Sequence, residues 1–383
     1  MVLSKKPLHL FIVTLVAILP FLSSANSTSD SVNVTSETNS VAGKLTENAV
    51  PKDIKTEIKE FIDHHLKDSY DFTIFGYKNE AGEQEHVAIP LPIILWDGGL
   101  KVFSSSKFHH GEEVAEFDGS FYKVYHSKIY KVDSKEGQIS VDEHDHATNV
   151  KPLDFSITKN VVMIFVVSIL MFLLFRSLAK SYAKNAGISS GIGRLFEPIV
   201  LYIRDEIAIP NIGEKHYKKY MSYLLTIFFF VWFLNIFGLT PLGINVTGNI
   251  AVTACLALLT FLITTFTANK NYWGHIFWMP GVPVPMKIIL APIELLGIFI
   301  KPFALMIRLY ANIVAGHIVL MSLIGLMFVF KNWLGSSLSF LLSFAISIIE
   351  ILVALLQAYI FTMLSALYFG SAVEEHHHEE AHH

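Results

Sequence analysis

The sequence predicts an all-α polytopic membrane protein of about five transmembrane helices and one interfacial helix, the last two spans long and tilted. A small β-rich extracytoplasmic domain precedes them. Three observations carry this reading. The chain is 52% hydrophobic and only 16% charged, whereas a soluble domain carries about 25% charged residues. Its longest apolar runs lie in the second half, each able to cross a hydrocarbon core of about 30 Å. The charge divides with the hydropathy: residues 26–151 hold 22 Asp and Glu against 13 Lys and Arg, while residues 152–373 hold 7 against 14. The acidic part reads as water-facing. The basic residues of the second part flank apolar spans, so they read as determinants of topology and not as a nucleic-acid surface.

Residues 1–25 show a basic start at Lys5 and Lys6, an apolar core and a small-residue end at Ala25. That is the layout of a secretory signal peptide, with an uncleaved first span as the rival reading. Residues 26–50 are rich in Ser, Thr and Asn with little to bury, and read as a disordered linker. The extracytoplasmic domain is expected over 51–159. It opens on Lys52–Asp68, where Ile54, Ile58, Phe61, Ile62 and Leu66 recur at helical spacing. From Tyr70 to Ser140 short apolar stretches such as YDFTIFGY, VAIPLPIILW and SFYKVYHSKIYKV alternate with Gly and acidic turns, the pattern of strands. Its His groups lack a clean ligand spacing, so no metal is expected. The single Cys255 sits in an apolar run and reads as a small core residue.

The membrane domain is expected over 160–373, with a solvated His/Glu-rich tail at 374–383. Its first span is Asn160–Leu178. The Lys/Arg-rich segment that follows contains GRLFEPIVLYIRDEIAIPNIG, apolar and charged at helical spacing like a helix lying in the interface. Met221–Phe237 and Ile250–Thr267 form a hairpin of spans. The loop NKNYWGHIFWMPGVPVPMK brings aromatic residues suited to the headgroup level. The last apolar stretches, Met286–Phe330 and Ser336–Val373, would be roughly 65 Å and 55 Å long as continuous helices. Both exceed the hydrocarbon thickness, so strong tilt, breaks or re-entrance are expected. The positive-inside rule exports residues 26–159 and leaves the C-terminus in the cytoplasm, with only Lys159 and Lys331 on the other side.

Ionisable and amide side chains inside those last stretches point to function. Glu294, Lys301, Arg308 and Asn312 follow at intervals of seven, seven and four, within one narrow helical stripe. On the last helix Ser343, Ser347, Glu350, Ala354 and Gln357 recur at three and four. Two facing polar stripes in lipid make a hydrated path or a polar helix contact. Arg308 is the sharpest feature. A guanidinium keeps its charge at any accessible pH, and placing it mid-membrane costs about 2.5–3.5 kcal/mol or more. No acid lies one turn away on its own stripe, so a partner on another element is expected; the plainer reading pairs it with Glu350 or Glu294. His317 lies nine residues beyond, half a turn round the helix, and can share a proton with a carboxylate such as Glu350. For Gln357 and the Ser residues, interhelical hydrogen bonding is an equal alternative.

These residues resemble a known family. The run from Pro292 to Val319 is similar to the signature of subunit a of F-type ATP synthases, here Arg308, Leu309, Tyr310, Ala311, Asn312, Ala315 and Gly316. Leu355–Phe369 and Asn211–Gly243 resemble two further segments of that subunit, and together the matches reach from Phe196 to Phe369. The resemblance implies that Arg308 faces the essential carboxylate of a rotating c-ring, which the two long helices wrap. It implies that His317 and Glu350 occupy the positions of a Glu/His couple that relays protons. Asn235, Thr240 and Gln357, with Glu294 and Asn312 of the Arg308 stripe, would line two aqueous half-channels. Gly238 departs from the pattern, since some members carry Asp there. The implied partners are the c-ring, b-type peripheral stalk subunits, the remaining synthase subunits and the bilayer of a bacterial inner membrane. No cofactor is implied, and the sequence has no G-x-x-x-x-G-K-[ST] run, so chemistry on ATP falls to a partner. The alternatives are an ion-coupled secondary transporter, disfavoured by the lack of an internal repeat, and a membrane-anchored binding protein, which would not need Arg308.

Overall fold

The computed structural model describes residues 67–374 except 79–83, 112, 144–145, 185–190, 192, 241–243, 279–282 and 330–332. The expected signal peptide, the linker, nearly all of the amphipathic stretch 52–68 and the tail beyond 374 lie outside the described residues.

Among the described residues, the part that precedes the apolar helices is built from eight antiparallel strands. β1 (Asp71–Lys78) pairs with β2 (Gln84–Pro90). β3 (Pro92–Trp96) lies between β4 (Leu100–Ser104) and β8 (Leu153–Asp154), and β6 (Ser120–Tyr125) lies between β5 (Ala115–Phe117) and β7 (Lys128–Val132). The turn between β5 and β6 has φ of +50° at Asp118 and +68° at Gly119, the twist that a two-residue hairpin needs. Alternation then fixes the core: Ile93, Leu95, Phe103, Phe108, Tyr122 and Ile129 close together in one cluster. A polar seam runs beside it. The Tyr70 hydroxyl donates to Asp154 Oδ2 at 2.5 Å, and the Ser105 hydroxyl bonds the Asp71 carboxylate. Asp97 Oδ2 accepts from Lys131 Nζ at 2.8 Å and from the Tyr122 hydroxyl at 2.9 Å.

Among the described residues, five helices are long and apolar enough to span a membrane. α1 (Lys159–Lys184) begins directly beneath the β-domain: Lys159 N–H donates to Ser69 O at 3.0 Å, and Asn160 N–H to Asp68 Oδ1 at 3.3 Å. Phe72 at the start of β1 packs against the core of the membrane helices. The expected interfacial helix is α2 (Gly193–Tyr202), prolonged by a π-helical turn over Ile203–Ala208 and a last α turn, Ile209–Ile212. Pro210 explains the widening, since it has no N–H to return to Glu206; the Ile209 N–H instead reaches Arg204 O, five residues back.

α3 (Tyr217–Gly238) and α4 (Ile250–Thr267) form the hairpin of spans, followed by the short α5 (Lys270–Phe277). α6 (Val284–Val329) and α7 (Trp333–Val373) have 46 and 41 residues, about 69 Å and 62 Å of helix. Neither is broken, although Pro292 and Pro302 lie inside α6.

α7 is the hub, packed against α2, α3, α4 and α6. Four alanines on its buried face, Ala354, Ala358, Ala366 and Ala372, let neighbouring backbones approach. Gly370 is the extreme case, because a Cβ there would lie 1.9 Å from the Asn211 carbonyl oxygen. Larger residues fill the rest of the core, including Ile207, Leu224, Phe229, Phe361 and Phe369, with Tyr220 stacked on Phe369 at 4.6 Å. The C-terminal end of α7 is tied down by Asn269, whose backbone N–H donates to Ala372 O and whose Nδ2 donates to Val373 O.

Candidate functional site

The site is built on the two long helices. Leu305 and Leu309 point α6 inward and are fully buried, so the turns between them direct Ile307 and Arg308 outward, onto an exposed apolar surface. Phe299, Ile300 and Phe303 of α6 are exposed apolar residues too, and so are Ile348, Ile351 and Leu352 of α7. Among the described residues, the Arg308 guanidinium has no hydrogen bond or ion pair. Neither Glu294 nor Glu350 reaches it. Asn312, one turn further, is also exposed but turned toward α7, where its Nδ2 donates to Gln357 Oε1 at 3.0 Å. Glu294 lies half-buried near the start of α6, and the exposed Lys301 holds its Nζ 5.8 Å above the Tyr368 ring.

Beyond Arg308 the nine-residue spacing turns His317 inward, where it is only 6% exposed. Its Nε2 lies 3.6 Å from where a Cβ on Gly238 would sit, so the ring faces the end of α3. Glu350 is buried on α7, its carboxylate against Gly316; a Cβ there would come within 2.6 Å of Oε1. The two side chains thus lie on the same helix pair without a hydrogen bond or ion pair between them. Asn235 is buried and bridges two elements: its Oδ1 accepts the Thr247 hydroxyl at 2.8 Å, and its Nδ2 donates to Ala354 O at 3.4 Å. Thr240 is half-buried, its hydroxyl spent on Phe237 O at 2.6 Å.

Several polar atoms of this region are buried without any protein partner among the described residues: both Glu350 oxygens, Ser343 Oγ, Asn245 Nδ2 and Gln357 Nε2. A buried unpaired polar group costs about 1–3 kcal/mol, so these atoms mark where water belongs. Asn245 and Thr247 were not singled out in the sequence; an Asn and a Thr in an uncharged turn look like any loop until the loop is found buried.

A second polar recess opens toward the other end of α6. It is a narrow cleft of about 20 Å³, room for a single water, between α4, α5, α6 and α7. Thr260, Thr264, Lys301, Tyr368 and Ser371 supply its polar lining. The available sequence signal is the buried threonine row of α4, Thr253, Thr260 and Thr264. Leu305, Leu309, Ala358 and Phe361, all buried, form apolar packing between this recess and the polar atoms around Glu350.

Comparison with known proteins gives this arrangement a family. Residues 161–370 match the family described as ATP synthase A chain, more than half of the chain. Residues 61–155 match a separate family, described as Domain of unknown function (DUF8433). An ATP synthase subunit a from Anaeromyxobacter sp. (strain Fw109-5) is 38% identical over 286 residues, covering 70% of this chain and 69% of the relative. That of Chloroherpeton thalassium is 44% identical over 235 residues, 60% of this chain and 70% of the relative. That of Chlorobium phaeobacteroides is 41% identical over 280 residues, 71% and 80%. With its five apolar spans and its match over the whole helical half, the chain belongs to the ATP synthase subunit a family of multi-pass membrane proteins.

Proposed function

We propose that this chain is the stationary ion path of a rotary F-type ATP synthase, with Arg308 facing the carboxylate of a rotating c-ring. The observation that carries this reading is the position of Arg308. It is exposed on an apolar face with no ion-pair partner among the described residues, and a charge in lipid calls for a partner. A passing carboxylate supplies one.

The geometry supports two aqueous half-channels. One would run through the unpaired polar atoms near Glu350, His317, Asn235, Asn245 and Thr247, with Thr240 at its rim. The other would use the recess of Thr264, Lys301 and Tyr368, with Glu294 near its mouth. A carboxylate moving through lipid carries its proton, because burying its charge is costly. Beside Arg308 the ionised form is stabilised and the proton leaves into one half-channel. The carboxylate is then protonated again from the other. The charge of Arg308 and the apolar packing of Leu305, Leu309 and Phe361 oppose direct passage, so net flow requires rotation. His317 and Glu350 would relay protons through water, and Asn312–Gln357 would brace the helix pair beside Arg308.

In this reading the chain performs no chemistry on ATP itself and works with the c-ring, b-type stalk subunits and the remaining synthase subunits. The domain over 51–159 would lie outside a bacterial inner membrane after export by residues 1–25, and the C-terminus in the cytoplasm. Arg308→Ala is the test. The complex should assemble while ATP synthesis and ATP-driven proton pumping are lost; synthesis at near-normal rate would refute the assignment.

A further inference from the structure

The sheet β4–β3–β8 has apolar residues on both faces. An antiparallel sheet that meets water shows polar side chains on its outer face. Here the inner face carries Ile93, Leu95 and Phe103, and the outward positions carry Trp96, Leu100, Val102, Leu153 and Phe155, which are 39% to 63% exposed. Register joins them into one patch: Trp96 stands opposite both Leu100 and Leu153, and Ile94 opposite Val102. No outward position of the three strands is charged, in a domain where acidic and basic residues are frequent. A contiguous apolar patch of this kind marks an interaction surface.

Two observations identify what covers it. The row Leu153, Phe155, Ile157 leads past Lys159, whose stem can lie along apolar surface with its ammonium among headgroups, into α1, where the exposed Phe165, Val166 and Ile169 form an apolar outer face. The patch is therefore an extension of a lipid-facing surface. The length of α1 agrees. Its uncharged run between Lys159 and Arg176 has 16 residues, about 24 Å of helix against about 30 Å of hydrocarbon. The bilayer therefore reaches toward the strand end that precedes α1. The backbone there tolerates that depth, because its groups are already paired: Phe155 N–H donates to Ile94 O at 2.8 Å, Ile157 N–H to Pro92 O at 3.2 Å, and Ile94 N–H to Ser156 Oγ.

We propose that the outer face of the β4–β3–β8 sheet is a lipid-binding surface, seated in the headgroup layer of the leaflet from which α1 begins. Trp96 and Phe155 are its anchors, as amphipathic and aromatic rings are at membrane interfaces. The bonds from Lys159 to Ser69 and from Asn160 to Asp68, with Phe72 in the helical core, hold the domain at this level. The four residue steps from Leu153 to Ile157 span about 13 Å of extended chain, and the interfacial layer is about 5–8 Å thick. The whole face is therefore covered when the strands lie oblique to the bilayer normal.

The experiment uses the assembled complex in nanodiscs of phosphatidylcholine and phosphatidylglycerol. A photo-reactive benzophenone amino acid replaces Trp96 or Phe155, with Glu116 on the exposed part of β5 as control. Irradiation should give a phospholipid adduct at 96 and 155 and none at 116. Nitroxide labels at the same positions should show an oxygen-over-nickel accessibility ratio several-fold above that at 116. Val102 gives the same reading if a change at 96 blocks assembly, since its side chain also stands outside the core. An adduct to polypeptide, whether residues 52–66 of this chain or another subunit, would overturn the proposal. So would accessibility at 96 and 155 equal to that at 116.

Discussion

Gly370→Ala is the perturbation whose size the packing fixes most directly. The new Cβ would lie 1.9 Å from the Asn211 carbonyl oxygen and 3.0 Å from its carbonyl carbon. A carbon meets an oxygen comfortably from about 3.3 Å, so α7 and the last turn of α2 would have to part by about 1.4 Å. Both partners are helix backbone and cannot turn aside as a flexible side chain does. Overpacking costs about 1–3 kcal/mol, and a backbone partner places this case near 3 kcal/mol. On the scale of soluble domains of 150–250 residues that lowers a thermal midpoint by roughly 6–12 °C. The assay is thermal unfolding of the detergent-solubilised complex, followed by loss of this subunit. Gly274→Ala is the control, because nothing lies within 4 Å of its would-be Cβ and Ala gains about 0.5–1 kcal/mol in a helix. Equal midpoints for the two variants would refute the close-approach argument.

Gly316→Ala meets only the far end of a flexible side chain, Glu350 Oε1, so assembly should survive while proton flux falls; flux in reconstituted vesicles measures it, and unchanged flux would detach Glu350 from the path. His317→Ala and Glu350→Ala should each slow flux, and the double variant should fall short of the product of the two losses; fully multiplicative losses would mean that the groups act independently. Asp97→Asn removes the negative charge on the group that accepts from Lys131 and Tyr122. The hydrogen bond from Lys131, then that from Tyr122, holds the Asp97 carboxyl below its ordinary range. That stabilisation is present above the unfolded carboxylate range, about pH 4, and is lost as pH falls through the lower folded value. Hydrogen exchange in β3–β7 should therefore speed up at neutral pH by a factor of about 5, or 1 kcal/mol, and the difference from the unaltered chain should vanish in strong acid.

The spans were legible because lipid imposes a length and an apolar composition that no other environment does. Ile250–Thr267 ends where the sequence placed it, and the two long stretches are single helices. Direction on a helix was legible too: nine residues separate Arg308 from His317, and the first is exposed while the second is buried. Partnership between elements was not. Asn312 was the nearest polar group on the Arg308 stripe, yet its amide bonds Gln357, 45 residues away. Strand β8 has two residues, Leu153 and Asp154, that pair with Trp96 and Leu95 far back in the chain, too short and too remote for alternation to betray it. The buried turn of Asn245 and Thr247 escaped for a similar reason. Its composition is that of a surface loop, and only the helices around it exclude water.

The position of α7 in the chain has a consequence for how the protein is made. The helix that touches α2, α3, α4 and α6 leaves the ribosome after all of them. Until then Asn235 lacks the Ala354 carbonyl, Asn269 lacks the end of α7, and the Asn211 carbonyl faces an empty slot where Gly370 will fit. The earlier helices must wait in the membrane as a loose set, and the bundle closes in one late step. A nascent chain stalled before Trp333 should therefore be cut readily by protease in its membrane-facing loops, whereas one released after Val373 should resist.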